Sequence, residues 1–356
     1  MLASPSRRQF LERGMASAAM IGLIASPTRA SAAFLPDDPD WTSYKSRFLH
    51  ADGRIIDTGN GDISHSEGQS YGMLFSVAFS DQQTFDLISG WTARTLARGT
   101  DSLHIWRYLP NRHDHTPDRN NATDGDIVIA MALNRAAQKW GRPENAQAAA
   151  TLARDIRTLL IANAGSRLVL LPAASGFVRK SAAIINLSYY NLVALRELAG
   201  IDPSPLWQLL ALDGLALIEA ARFGRWQLPP DWLAVSLKDA DVTVAPGWSP
   251  LCSYDAIRVP LNLTWAQALT PAVAQSFVNF WTTAAAYQPA WANLTTNAVS
   301  PYAAAGGLVA VRDVTMANEP QMGLPALPPV QQCADYYSAS LTLLARIAWA
   351  ESHGGG

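Results

Sequence analysis

A helical period returns almost from one end of this chain to the other. In "GMLFSVAF" (72–79), continued by "DQQTFDLISGWTARTLA" (81–97), apolar residues fall three and four apart. The same spacing runs through "GDIVIAMALNRAAQKW" (125–140), "ENAQAAATLARDIRTLLIANA" (144–164), "SYYNLVALRELAG" (188–200) and "SPLWQLLALDGLALIEAARF" (204–223). It is found again in "DAIRVPLNLTWAQAL" (255–269), "PAVAQSFVNFWTTAAAY" (271–287) and "DYYSASLTLLARIAWAE" (335–351). Few of these segments alternate with the two-residue period of a strand, so a mainly α chain is expected. The best strand candidate is "RLVLLPAA" (167–174), read as half of a small hairpin with "GFVRKS" (176–181). Long stretches without the helical period lie at 100–122, 223–254 and 288–334, rich in Pro, Gly, Trp and Asp. Loops of that length in a compact domain are usually functional or disordered, and the tryptophans in the first two speak against disorder. No linker divides the chain. The paired helices predict an all-α toroid of helical hairpins, with long loops at one end building an open cleft.

The 356 residues, 49% hydrophobic and 16% charged, suit a globular protein with a large core. A formal net charge of −2 leaves no basic stripe for phosphates, so no nucleic-acid partner is expected. No internal apolar run reaches the roughly 18 residues that a bilayer span needs. The N-terminus differs in kind. "SPSRRQFLERGMASAAMIGLIASPTRASA" carries Arg7 and Arg8, a weakly apolar stretch, and then Ala30-Ser31-Ala32 as a small-x-small cleavage pattern. Residues 1–32 are read as a twin-arginine export signal, against the plainer alternative of an amphipathic first helix. The expected mature protein is secreted or periplasmic, with one domain over 33–351 and a disordered tail, "SHGGG", over 352–356. Cys252 and Cys333 could pair after export, but two separate buried thiols are the preferred reading. In "RHDHTPD" (112–118), His113 and His115 are read as solvent-facing, and no metal or cofactor is expected.

Three acidic positions stand just before or within the first turn of an expected helix. They are Glu67 in "SHSEGQSYGM", Asp124 with Asp126 in "NNATDGDIVIAMAL", and Asp255 in "CSYDAIRVP". Capping is the plain explanation for each Asp, since carboxylates are stabilised at helix starts. Glu67 fits capping less well, because Ser64 or Ser66 could do it. Trp106, Tyr108, Tyr189, Tyr190, Trp226, Trp232 and Trp248 all sit in loops or near helix ends. Aromatic faces there can stack on sugar rings while polar side chains bind hydroxyls. Carboxylates at several helix starts together with aromatics in several loops point to a polysaccharide groove.

"SEGQSYGM", "ATDGDIVIAMALNRAAQKW" and "SYDAIRVP" resemble the motifs of glycoside hydrolase family eight, the former cellulase family D. The resemblance runs from about residue 40 to 350. "NNATDGD", "INLSYYNL", "GRWQLPPDWLAV" and "YYSASLTLL" look most like the endo-β-1,4-glucanases associated with bacterial cellulose synthesis. Asn134 departs from the family pattern, at a position that bears on packing. The resemblance implies an (α/α)6 barrel and an inverting hydrolase of β-1,4-glucan, functionally associated with a cellulose synthase complex. It implies Glu67 as proton donor and Asp255 as the base that activates water. Asp124 is then a sugar-orienting or electrostatic residue, since inversion needs no covalent nucleophile. Gln69, Tyr71, Asp126 and Arg258 join the aromatics as expected substrate contacts, with Arg258 steadying Asp124 or Asp255. Gly68 and Gly72 are expected to let a sugar approach. A chitosanase or xylanase on the same scaffold, or a catalytically silent glucan-binding protein, are the alternatives.

Overall fold

The computed structural model describes residues 34–317 and 324–353. The expected export signal and residues 354–356 lie outside the described residues. Ser352 and His353, expected in the tail, belong to the last helix, and Ser352 is buried.

Eleven α-helices occur among the described residues. They are α1 (Pro39–Phe48), α2 (Ser66–Ala78), α3 (Gln82–Thr95), α4 (Thr123–Trp140), α5 (Pro143–Leu160), α6 (Leu192–Ile201), α7 (Pro205–Ala220), α8 (Arg258–Trp265), α9 (Pro271–Trp281), α10 (Gly306–Met316) and α11 (Tyr336–His353). The odd-numbered helices from α1 to α9 each bury one stripe, such as Trp41, Tyr44 and Phe48 in α1, or Leu152, Ile156 and Leu160 in α5. Their remaining faces are more open, the pattern of a surface helix. By contrast α2, α8, α11 and the first half of α4 are buried nearly all round. Inner helix therefore packs on inner helix: α2 on α4, α4 on α6, α6 on α8, and α8 on α10 and α11. The ring closes where α11 meets α1 and α2. This is the two-layered (α/α)6 barrel. Fully buried side chains such as Phe75 and Phe277 contribute roughly 1.5–3 kcal/mol each to holding the layers together.

Short antiparallel pairs decorate the barrel. β1 (Ser64–His65) pairs with β2 (Arg107–Tyr108). β3 (Ile161–Ala164) pairs with β4 (Arg167–Leu170), which corrects the hairpin expected between 167–174 and 176–181. The buried stripe of α5 ends at Leu160, and the chain turns straight back on itself. The stretch 223–254 is not irregular throughout, since β6 (Leu233–Ser236) lies between β5 (Ala182–Ile185) and β7 (Val242–Val244). β8 (Leu251–Cys252) pairs with β9 (Ala292–Asn293). Two helices lie outside the segments expected to be helical: α1 is short and polar on average, and α10 opens on Gly306-Gly307 inside a stretch read as loop. Asn134 turns toward α6, donating to Glu197 at 3.4 Å and accepting from Gln138 at 3.2 Å. Both cysteines are free and buried.

Candidate active site

Inner helices bring their N-termini to one end of the barrel. Glu67 is the second residue of α2, Asp124 the second of α4, and Asp255 precedes the first residue of α8 by three. None of the three acts as the cap. His65 caps α2, its Nδ1 accepting from the Gly68 N–H at 3.0 Å, while α4 and α8 begin without a side-chain cap. The start of α4 is pinned instead by Thr123, whose N–H donates to Pro172 O (2.9 Å) and whose Oγ1 donates to Leu171 O (2.6 Å). Where α4 meets α2, a Cβ on Gly125 would lie 2.5 Å from Ser66 Oγ and 2.7 Å from the Ser66 carbonyl carbon. Only glycine allows that approach. Glu67 and Asp124 each flank the contact by one residue, so the two carboxylates reach the same place.

Arg258, the first residue of α8, joins the acids, and its side chain is 6% exposed. Its Nη1 donates to Glu67 Oε2 at 2.7 Å, to Asp124 Oδ2 at 3.0 Å and to the Tyr71 hydroxyl at 3.1 Å. Its Nη2 donates to Asp255 Oδ1 at 2.7 Å. Glu67 and Asp255 thus sit on different terminal nitrogens, with the guanidinium as spacer. Between Ser66 and Val77, Glu67 is the only residue of α2 that is not buried. Side-chain exposure rises from Asp124 (10%) through Glu67 (17%) to Asp255 (31%), so Asp255 is the most open to water.

Burial sets the electrostatics. It raises the pKa of Asp124; Arg258 opposes the rise and the charge of Glu67 adds to it. Burial likewise raises Asp255, against Arg258 and with the charge of Asp124, while the neighbouring Asn186 side chain favours the ionised form. For Arg258, burial disfavours the cation, but Tyr71, Glu67, Tyr337 and Asp124 outweigh it and lift the pKa well above the ordinary value. The guanidinium stays charged.

The expected substrate contacts divide. Tyr71 lies in the cluster, and Tyr189 lies under Arg258, whose guanidinium carbon is 5.7 Å from its ring centroid. Trp106 flanks Glu67 through its carbonyl, which accepts from the Ser66 N–H at 3.0 Å, and its indole donates to Asp118 at 2.7 Å. Trp232 and Trp248 stack on each other at 4.1 Å, half-buried beside the three-stranded sheet. Tyr108 has His115 stacked on it at 4.7 Å, and His113 and His115 are both exposed, as expected.

Several expectations are corrected. Gln69 is fully buried: its Oε1 accepts from the Ile55 N–H (2.6 Å), and its Nε2 donates to Gly53 O (3.1 Å) and Thr92 Oγ1 (2.9 Å). It ties a loop to α2 and has nothing left for a sugar. Asp126 is fully buried and accepts from the His104 N–H and ring and from Asn121 Nδ2. Tyr190 is buried with its hydroxyl accepting from the Leu170 N–H at 2.8 Å, and Trp226 packs edge-on against Phe280 of α9. Nor do the two glycines line a cleft: a Cβ on Gly72 would meet Ile55 and Ile88, and one on Gly68 would meet Tyr336.

Several neighbours of the cluster went unrecognised. His65 Nε2 lies 3.2 Å from Asp57 Oδ2, and its Nδ1 is 3.9 Å from Glu67 Oε1. The Tyr337 hydroxyl donates to Tyr254 O, beside Asp255. Asp231 bonds the turn that carries Asp255. Tyr337 and Asp231 stand in "YYSASLTLL" and "PPDWLAV", segments noted for their resemblance, where an acid after two prolines was the available signal.

A barrel of paired helices with carboxylates gathered at one end, two of them held apart by a buried cation, defines a glycoside hydrolase. The profile of glycosyl hydrolases family 8 matches residues 12–351, and the chain belongs to that family. It is 43% identical over 331 residues to a probable endoglucanase of Novacetimonas hansenii, covering 90% of this chain and 95% of that one. Among solved structures, the endo-beta-1,4-glucanase CMCax from Acetobacter xylinum superposes with a TM-score of 0.83 at 43% identity, covering 89% of this chain and 99% of that one. The family 8 endoglucanase Cel10 from Klebsiella pneumoniae gives a TM-score of 0.82 at 38% identity, covering 88% and 99%.

Proposed function

We propose that this protein is an exported endo-β-1,4-glucanase that cuts β-1,4-glucan internally by a single inverting displacement. Glu67 donates a proton to the leaving glycosidic oxygen. Asp255 takes a proton from a water attacking the opposite face of the sugar. Asp124 stays paired with Arg258 and orients the sugar between them. The observation that carries this reading is the convergence of three carboxylates on one buried guanidinium, with Glu67 and Asp255 on different nitrogens. The relative openness of Asp255 suits a base that must meet water. The substrate is supported by the endoglucanases to which the chain is similar. Export rests on the Arg7–Arg8 segment, and a functional association with a cellulose synthase complex rests on the motif resemblance. Among the described residues no helix is long and apolar enough to cross a membrane.

Reducing-end release from carboxymethylcellulose, xylan and chitosan, measured side by side, tests the reading. Carboxymethylcellulose should be the best substrate, with an early fall in viscosity that marks internal cuts. Glu67→Gln should lose about 10²–10⁴-fold in turnover while still binding glucan, because an amide has no proton to give. Faster release from xylan or chitosan would replace the substrate. Binding of glucan without any release would make the protein a silent glucan binder.

A further inference from the structure

We propose that Asp231 is the positioning residue of the general base, holding the turn that carries Asp255 and setting its negative charge beside it. The inference rests on Asp255 being that base. Asp231 follows Pro229 and Pro230, is 7% exposed, and donates its own N–H to Leu251 O at 2.7 Å. Its Oδ1 accepts from the Ser253 N–H at 2.8 Å and from the Ala256 N–H at 2.9 Å. Its Oδ2 accepts from the Ser253 hydroxyl. The three donors lie on either side of Asp255 in the chain, so one carboxylate grips the turn both before and after the base. The turn then runs directly into α8, with the Ile257 N–H donating to Ser253 O (3.0 Å) and the Arg258 N–H to Asp255 O (3.1 Å). Asp231 therefore also fixes the point from which Arg258 reaches the other acids.

The placement has an electrostatic consequence. Burial, and next the charge of Asp255, push the pKa of Asp231 up to about 6, against the hydrogen bonds from Ser253 and Ala256. Repulsion is mutual, so an ionised Asp231 makes Asp255 a stronger base. Asp231 faces Asp255 and the buried Cys252 thiol, while Asp255 itself faces Arg258, Asp124, Tyr189 and Tyr337. A carboxyl whose folded pKa is raised contributes stability at low pH that is lost as pH rises through about 6. At neutral pH the ionised group thus weakens the fold. A residue kept only for structure would be better as an amide.

Asp231→Asn and Asp231→Ala, compared with Asp202→Ala, test this. Asp202 ties Arg157 and Trp207 on the outer layer, so its loss reports a structural cost alone. In Asp231→Asn the amide oxygen still accepts both N–H groups, and the Ser253 hydroxyl can turn to accept from the amide. That variant should keep its Tm at neutral pH and lose about tenfold in kcat, with KM within about twofold. The acid limb of its pH profile should move to lower pH. Asp231→Ala should lose about 10²-fold in kcat with KM unchanged, and Asp202→Ala should lower Tm while leaving kcat alone. An unmoved acid limb with unchanged kcat in Asp231→Asn would overturn the proposal. So would a kcat loss in Asp231→Ala no greater than that of Asp202→Ala; should the Ala variant fail to fold, the Asn variant decides. Full turnover by Asp255→Asn would instead overturn the assignment of the base, a separate failure.

Discussion

Arg258 holds three carboxylates at once, two on one terminal nitrogen and the third on the other. A guanidinium presents fixed donors in a plane and stays protonated, whereas an ammonium is compact and loses its proton more readily when buried. Arg258→Lys should therefore lose most turnover even though the charge is kept. Arg258→Met should cost about 3–5 kcal/mol in stability, because it leaves buried acids without their cation. The loss should depend on pH. Asp124 and Asp255 already bind protons more readily when folded, and removing the cation raises both further. A raised carboxyl favours the fold at low pH, and that contribution is lost as pH rises through its folded value. The Tm gap between variant and parent should hence widen as pH rises from acid to mildly alkaline. A constant gap, measured by thermal melts across that range, would mean the three acids are not held by Arg258. The acids are legible in the sequence because each stands at an expected helix start, and Glu67 is not needed there as a cap. Gln69 and Asp126 mislead because α2 and the first half of α4 are buried nearly all round, so a polar residue there has no exposed face to betray its role. Which partners satisfy it depends on loops such as 50–57 and 98–104 that no local pattern locates.

At the scale of the element, the helix starts do the gathering. α2 and α4 cross closely enough at Gly125 that a single methyl group would force them apart. Gly125→Ala should cost about 1–3 kcal/mol by overpacking and reduce kcat, since Glu67 and Asp124 flank the contact. Gly200, in α6, has nothing within 4 Å of an added Cβ. Gly200→Ala should stabilise by about 0.5–1 kcal/mol through helix propensity and leave kcat unchanged. Denaturant unfolding of the pair, with kcat measured alongside, checks both; similar effects from the two would remove the crossing from the account. Helix existence was legible because the stripes of α3, α5, α7 and α9 repeat three and four apart, but boundaries were less so. α2 begins at Ser66, well before the apolar run from Gly72, because its first turn is built of small and polar residues that are buried by neighbouring helices. Long-range pairing was illegible: nothing near 182–185 announces that its strand partner lies at 233–236.

Across the whole molecule, closing the ring through α11 makes the site a product of distant segments. Glu67, Asp124, Asp255 and Tyr337 come from separate parts of the chain and meet only because α2, α4, α8 and α11 are neighbours in the inner layer. Periodicity pointed to paired helices around a ring, while the (α/α)6 count came from the motif resemblance. The same closure puts Glu67 and Asp255 on either side of one guanidinium, and the central claim is that a water, not a carboxylate, attacks from the Asp255 side. Proton NMR of cello-oligosaccharide hydrolysis, read before mutarotation, tests that claim most directly. With a water between carboxyl groups about 6.5–9.5 Å apart, a β-linked glucan should release the α-anomer first. An initial β-anomer would require a carboxylate about 5–5.5 Å from Glu67 acting as nucleophile, and would contradict the single displacement by giving that role to Asp124.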